Sequence, residues 1–150
     1  MVAKKIIAND VFFASIEELI AEGQSVEMTV RGFSMRPFLR NERDVVVLSP
    51  IASEQLRCGM VVLFRYRGAH VLHRIVRIEG EMLTMEGDGN YRQAEVAPRD
   101  AVVAYVSEAK LAEGSALGYN SVGWRRRTLL SLSRKRVRTL AIDIKRKLFK

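Results

Sequence analysis

Met60-Val61-Val62-Leu63-Phe64-Arg65-Tyr66, then Arg67-Gly68, then Val71-Leu72-His73-Arg74-Ile75-Val76-Arg77-Ile78 are two runs rich in β-branched and aromatic residues, split by a turn-forming pair. Such runs read as consecutive strands. Working outward, Asp44 to Leu48, Met82 to Glu86 and Ala101 to Ser107 have the same character, and Ser49-Pro50 marks a break. Val26, Met28 and Val30 alternate with polar residues, as a half-buried strand does. Short strands without intervening helices predict a mainly antiparallel, barrel-like sheet. Helices are expected only at the two ends. Asp10 can cap a helix carrying Phe12, Phe13, Ile16, Leu19 and Ile20 at helical spacing, and Gly23 can end it. A basic helix is expected from Trp124 onward. The expected class is a β-rich α+β fold, with an N-terminal helix over 1–24, a β domain over 25–110 and a basic helical tail over 111–150.

Chemistry concentrates at Gly32-Phe33-Ser34-Met35-Arg36-Pro37-Phe38. Gly32 lets the chain turn after Val30, and Pro37 fixes it just beyond, so the Ser34 hydroxyl stands at a stiffened turn. A serine hydroxyl is a weak nucleophile at neutral pH and must pass its proton to a base as it attacks. Lysine cannot be that base within the β domain proper: the lysines stand at 4, 5, 110, 135, 145, 147 and 150, leaving Ile6 to Ala109 without one. A neutral imidazole suits the task, and the chain holds two, His70 and His73. Three residues apart on a strand, they point to opposite faces, so at most one faces Ser34. His70, beside Gly68 and Ala69, is expected to be exposed at a turn.

Gly32-x-Ser34-Met35-x-Pro37, Asp44-Val45-Val46-Val47, Leu72-His73-Arg74-Ile75-Val76 and Gly87-Asp88-Gly89-Asn90 resemble, in order and rough spacing, the boxes of the type I signal peptidase and LexA-type repressor superfamily of serine peptidases. The likeness spans roughly residues 26 to 106. Histidine where bacterial signal peptidases usually carry lysine is similar to the endoplasmic-reticulum and archaeal branch. The resemblance implies Ser34 as nucleophile, His73 as base and Asp88 as the candidate third group. It also implies the Ser34 N–H as oxyanion donor, Phe33, Met35 and Leu72 beside the substrate, and a preference for small residues before the cut. The chain departs from the pattern at three points. Gly32 stands where some members add a donor hydroxyl. Gln93 and Ala94 stand where another acid usually follows, leaving Glu95 as the closest carboxylate. Asp88-Gly89 between two apolar runs is also a hairpin-turn signal, so Asp88 has a second reading as a turn residue.

Charge divides the chain. Residues 121–150 carry eleven Lys/Arg and one acid, Asp143, a net of +10 within an overall +8. Leu130, Val137, Leu140, Ala141, Ile144 and Leu148 form a stripe among the basic residues, a pattern suited to an anionic membrane surface, with Trp124 and Phe149 as interfacial anchors. Packing of this helix on the domain is the alternative. Scant aromatic interleaving and no reading motif argue against nucleic acid. No run reaches the ~18 apolar residues of a membrane span, and Lys4-Lys5 followed by Ile6-Ile7-Ala8 does not read as a signal peptide. A single cysteine, Cys58, excludes an internal disulfide. No metal-ligand cluster or phosphate loop is legible, so no cofactor is expected. The expectation is a cytoplasmic serine endopeptidase, peripheral at the inner membrane face, acting on a peptide or protein. A catalytically silent peptide-binding scaffold and a self-cleaving repressor-like module are the alternatives, and oligomeric state is not legible.

Overall fold

The computed structural model describes residues 9–149, so the Lys4-Lys5 segment lies outside the described residues. Helix α1 (Asn9–Ala21) is followed by β1 (Val26–Thr29), β2 (Val45–Ser49), β3 (Val61–Tyr66), β4 (Ala69–Glu79), β5 (Met82–Glu86), β6 (Ala94–Pro98), β7 (Val102–Lys110), β8 (Ala116–Gly118) and α2 (Val122–Leu148). The strands form one antiparallel sheet in the order β1-β2-β7-β3-β4-β5-β6, with β8 paired to β7. The mainly β expectation with a helix at each end therefore holds.

β3 shows why the sheet is stable. Val61 and Leu63 point into one apolar cluster, with α1, β2, β7 and Trp124; Val62 and Phe64 point into a second, with Ile75, Leu83, Met85 and Ala97. All four are buried. A strand covered on both faces reads as an uninterrupted apolar run instead of an alternation. α1 already includes Asn9, so Asp10 lies inside the helix, not at its cap. Its C-terminus closes as expected: Gly23, at φ +84°, lets the Gln24 N–H reach Leu19 O and its own N–H reach Ile20 O, the Schellman arrangement.

Two strands, β6 and β8, were not expected. Glu and Pro are depleted in strands, yet β6 runs Ala94-Glu95-Val96-Ala97-Pro98 with Glu95 and Ala97 buried. Pro98 is tolerated because β6 is the sheet edge. Asp88-Gly89 do form the centre of a turn, closed by the Asn90 N–H donating to the Gly87 carbonyl at 3.1 Å, but not a two-residue hairpin, because β5 and β6 are joined by the longer loop 87–93.

Helix α2 also differs from expectation. Trp124 is no interfacial anchor, because it is buried edge-on against Phe38 and Tyr119. The helix holds the sheet through polar groups: Ser131 Oγ donates to Asp88 at 2.7 Å, Lys135 Nζ to Glu86 at 2.7 Å, and Arg127 Nε to the Phe38 carbonyl at 2.7 Å. Its apolar stripe points away from the domain.

Candidate active site

The Ser34 turn is built between β1 and β2. Gly32 adopts φ +88°, a left-handed conformation that disfavours any side chain, and its N–H donates to Asn41 Oδ1 at 2.8 Å. Downstream, Met35 and Phe38 are buried in the core and anchor the turn. Phe33 stays exposed under the Arg36 guanidinium. Ser34 is left at the rim. Its N–H donates to no acceptor among the described residues, and its hydroxyl makes no hydrogen bond there, including to His73.

His73 is on β4, buried and directly across from Val62 of β3. Its other neighbour follows from register: β5 pairs Glu86 with Arg74, so one further residue sets Gly87 opposite His73. That approach is very close. A Cβ on Gly87 would lie 3.0 Å from His73 Nε2 and 2.5 Å from the Ser34 carbonyl oxygen. Gly87 is therefore the residue that allows the serine turn and the imidazole to meet. Gly89 does the same one step on, where a Cβ would stand 2.8 Å from the Phe33 carbonyl, and its N–H donates to Ser34 O at 2.7 Å.

The imidazole is held from behind by Glu95, not Asp88. His73 Nδ1 is hydrogen-bonded to the Glu95 carboxylate, and both side chains are almost fully buried. Facing a carboxylate, which only accepts, Nδ1 is the donor nitrogen of the pair, and Nε2 lies on the Gly87 side of the ring. Asp88 is occupied elsewhere. Its two oxygens take Arg74 Nε at 2.9 Å and Arg74 Nη2 at 2.8 Å, and Ser131 adds a third bond. Asp88 and Arg74 form a buried ion pair beneath the site, with Arg74 also donating to Gly59 O and lying over the Phe38 ring.

His70 is not exposed, contrary to expectation. Its ring stacks on Phe13 with centroids 4.4 Å apart, and Nε2 is 2.9 Å from Glu17. It faces α1, while His73 faces the second cluster beside Phe64, so the two point to opposite faces. A groove of about 170 Å³ runs beside Ser34, between Arg31 and Gly32 on one wall and His70, Val71 and Leu72 on the other. Met35 contributes to its floor while remaining buried. β5 pairs with β4 only from Arg74 onward, so among the described residues no strand pairs with that edge of Ala69 to His73, and His70 to Leu72 of it line the groove.

No protein-family model and no curated protein matches this chain. Among the described residues no group of acidic, histidine and cysteine side chains is arranged to hold a metal.

The sequence marks Glu95 only as the closest carboxylate, and Gly87 only as part of the Gly87-Asp88-Gly89-Asn90 box, without a role of its own. Glu95 is 22 residues from His73 and sits in a strand whose composition does not announce it. The signal that could have found it is its alternation with Ala97, which puts both on one face.

Proposed function

We propose that the chain is a serine endopeptidase of the signal-peptidase-like, LexA-type class, with the barrel-like β fold that this resemblance implies. The observation that carries the reading is the setting of His73: Glu95 on Nδ1, and the Ser34 turn admitted to the Nε2 side by Gly87. An orienting carboxylate behind a histidine within reach of a serine is the arrangement that activates a hydroxyl, and the proposal requires Ser34 Oγ to turn to His73 Nε2 when substrate is bound.

In the proposed reaction an extended peptide lies in the groove and adds to that edge of Ala69 to His73 by main-chain hydrogen bonds. Ser34 Oγ attacks the carbonyl carbon while its proton passes to His73 Nε2. Glu95 stabilises the imidazolium so formed. The protonated ring then gives that proton to the leaving amine as the C–N bond breaks, leaving an acyl-serine. Water, deprotonated by the same nitrogen, hydrolyses the ester and restores Ser34. The uncommitted Ser34 N–H is the donor for the developing oxyanion; with Gly32 two residues earlier no side-chain hydroxyl supplements it.

A silent peptide-binding role is the second reading, favoured by the missing hydrogen bond between Ser34 Oγ and His73. Digestion of a mixed peptide library, read by mass spectrometry, separates the two. The endopeptidase reading predicts cleavage after small residues, lost in both Ser34→Ala and His73→Ala with unfolding midpoints nearly unchanged. Full activity in Ser34→Ala refutes the assignment, and peptide binding without cleavage by the intact protein supports the silent role.

A further inference from the structure

The outer face of α2 is the least explained surface of the molecule. The helix runs about 40 Å at 1.5 Å per residue. At 100° per residue, Val122, Leu129, Leu130, Val137, Leu140, Ile144 and Leu148 fall within a stripe about 100° wide, interrupted by Arg126, Ser133 and Lys147. Those seven apolar side chains are 49% to 72% exposed. The opposite face is turned inward: it carries buried Trp124 and Ser131, and the Lys135 contact with Glu86 and the Gly87 carbonyl. This inverts the usual arrangement, in which a helix buries its apolar face against the domain and exposes its polar one.

The charge beside the stripe is nearly all of one sign. Arg125 and Arg136 flank it on one side and Arg134 and Lys145 on the other, all exposed. The segment's single acid, Asp143, is turned to the domain, bonded to Tyr91 and to Arg92 Nη2 at 2.5 Å. Asp143 falls in the row of Arg125 and Arg136 but is drawn to Arg92, and α2 has no other acid to offset its cations. An apolar strip between two basic rows matches a bilayer surface, where acyl chains accept the strip and anionic headgroups meet the rows. A second copy is a poor occupant, since antiparallel pairing along the strip would bring two surfaces of the same charge together. Nucleic acid would satisfy the cations and leave the leucines in water. Among the described residues no helix is long and apolar enough to cross a membrane, which leaves an orientation in the interfacial plane.

We infer that α2 docks the protein on anionic lipid bilayers, lying in the interface with Leu130, Val137 and Ile144 inserted and its polar face still clamped to the β domain. Because Arg127, Lys135 and Arg138 hold the carbonyls of Phe38, Gly87 and Gly89, docking also holds the Ser34 groove at a fixed distance from the bilayer. Deleting residues 124–150 would not be a clean test, since it removes Trp124 and Ser131 from the interior. The full-length chain should instead be floated with vesicles of phosphatidylglycerol and phosphatidylcholine. Leu130→Gln, Val137→Gln and Ile144→Gln combined should weaken binding at least about tenfold, while the Trp124 fluorescence and the unfolding midpoint stay unchanged. Arg134→Gln with Arg136→Gln should weaken it and flatten its salt dependence. Failure of the unsubstituted chain to float, equal binding to vesicles of phosphatidylcholine alone, or undiminished binding of the triple variant would overturn the inference. So would a dimer that the triple variant dissociates, because the strip would then pair with itself. None of these readouts depends on peptide cleavage.

Discussion

Asp88→Asn is expected to be a stability defect. Asp88 and Arg74 side chains are each about 1% exposed, and the carboxylate receives two bonds from the guanidinium and one from Ser131. Asparagine keeps one acceptor and turns an NH₂ toward a donor, leaving Arg74 as a buried charge without a counter-ion. Removing one partner of such a pair costs about 3–5 kcal/mol. For a chain of this size that is a fall of roughly 6–20 °C in midpoint. Trp124, the single tryptophan, packs against Phe38 in the same region, so its fluorescence in a urea titration reports the loss directly. Adding Arg74→Met should recover part of it, with a coupling above about 1 kcal/mol, since the stranded charge is then gone. A loss below about 1 kcal/mol together with abolished cleavage would refute this reasoning and return Asp88 to the chemistry.

Glu95→Gln should lower kcat by on the order of 10² to 10⁴, with KM little changed, because the imidazole loses the group that fixes its tautomer; steady-state kinetics on a cleaved peptide checks it. Gly87→Ala should reduce cleavage and cost about 1–3 kcal/mol, since the added methyl meets the Ser34 carbonyl oxygen at 2.5 Å; kinetics and urea unfolding measure both. Asp44 sets an acid limit on stability. Burial alone would raise its carboxyl, but hydrogen bonds from Arg40 and from the Ala112 and Arg40 N–H groups outweigh it and hold the group below the usual carboxylate range. A depressed folded value means that the stabilisation is complete above the unfolded value near 4 and is lost as pH falls through the folded one. Thermal melts should therefore drop steadily in acid below about pH 4, and Asp44→Asn should flatten that slope.

Most of the fold was legible because apolar runs in this chain coincide with strands: Met82 to Glu86 is β5 as read, and the Arg67-Gly68 pair makes the β3-β4 turn with both residues at positive φ. β6 was hidden because its inward residues are one alanine and one carboxylate, so burial there follows from pairing with β5 and from His73 and not from hydrophobicity. Serine, histidine and the glycine turn could be named from their order in the chain. What brings them together could not, since Gly87 matters through a backbone approach between segments more than 50 residues apart. Asp88 turns the chain as one reading of it expects, but its pairing was not legible for a related reason: its partner Arg74 adjoins His73 in sequence, and only the strand alternation and the position of Ser131 on α2 decide which carboxylate meets which base. Periodicity likewise marked the stripe on α2 without revealing which face meets the sheet; the buried contact of Ser131 and the half-buried one of Lys135 decide that.

The central claim is that His73, oriented by Glu95, makes the Ser34 hydroxyl nucleophilic. Intact-mass and peptide-map analysis after exposure to an activated phosphonate ester tests it without knowledge of the substrate, because only an activated hydroxyl displaces the leaving group at useful rate. The account predicts one adduct, on Ser34, absent in His73→Ala and formed more slowly in Glu95→Gln. An adduct on another hydroxyl, no adduct at all, or labelling of Ser34 that is unchanged in His73→Ala would contradict it.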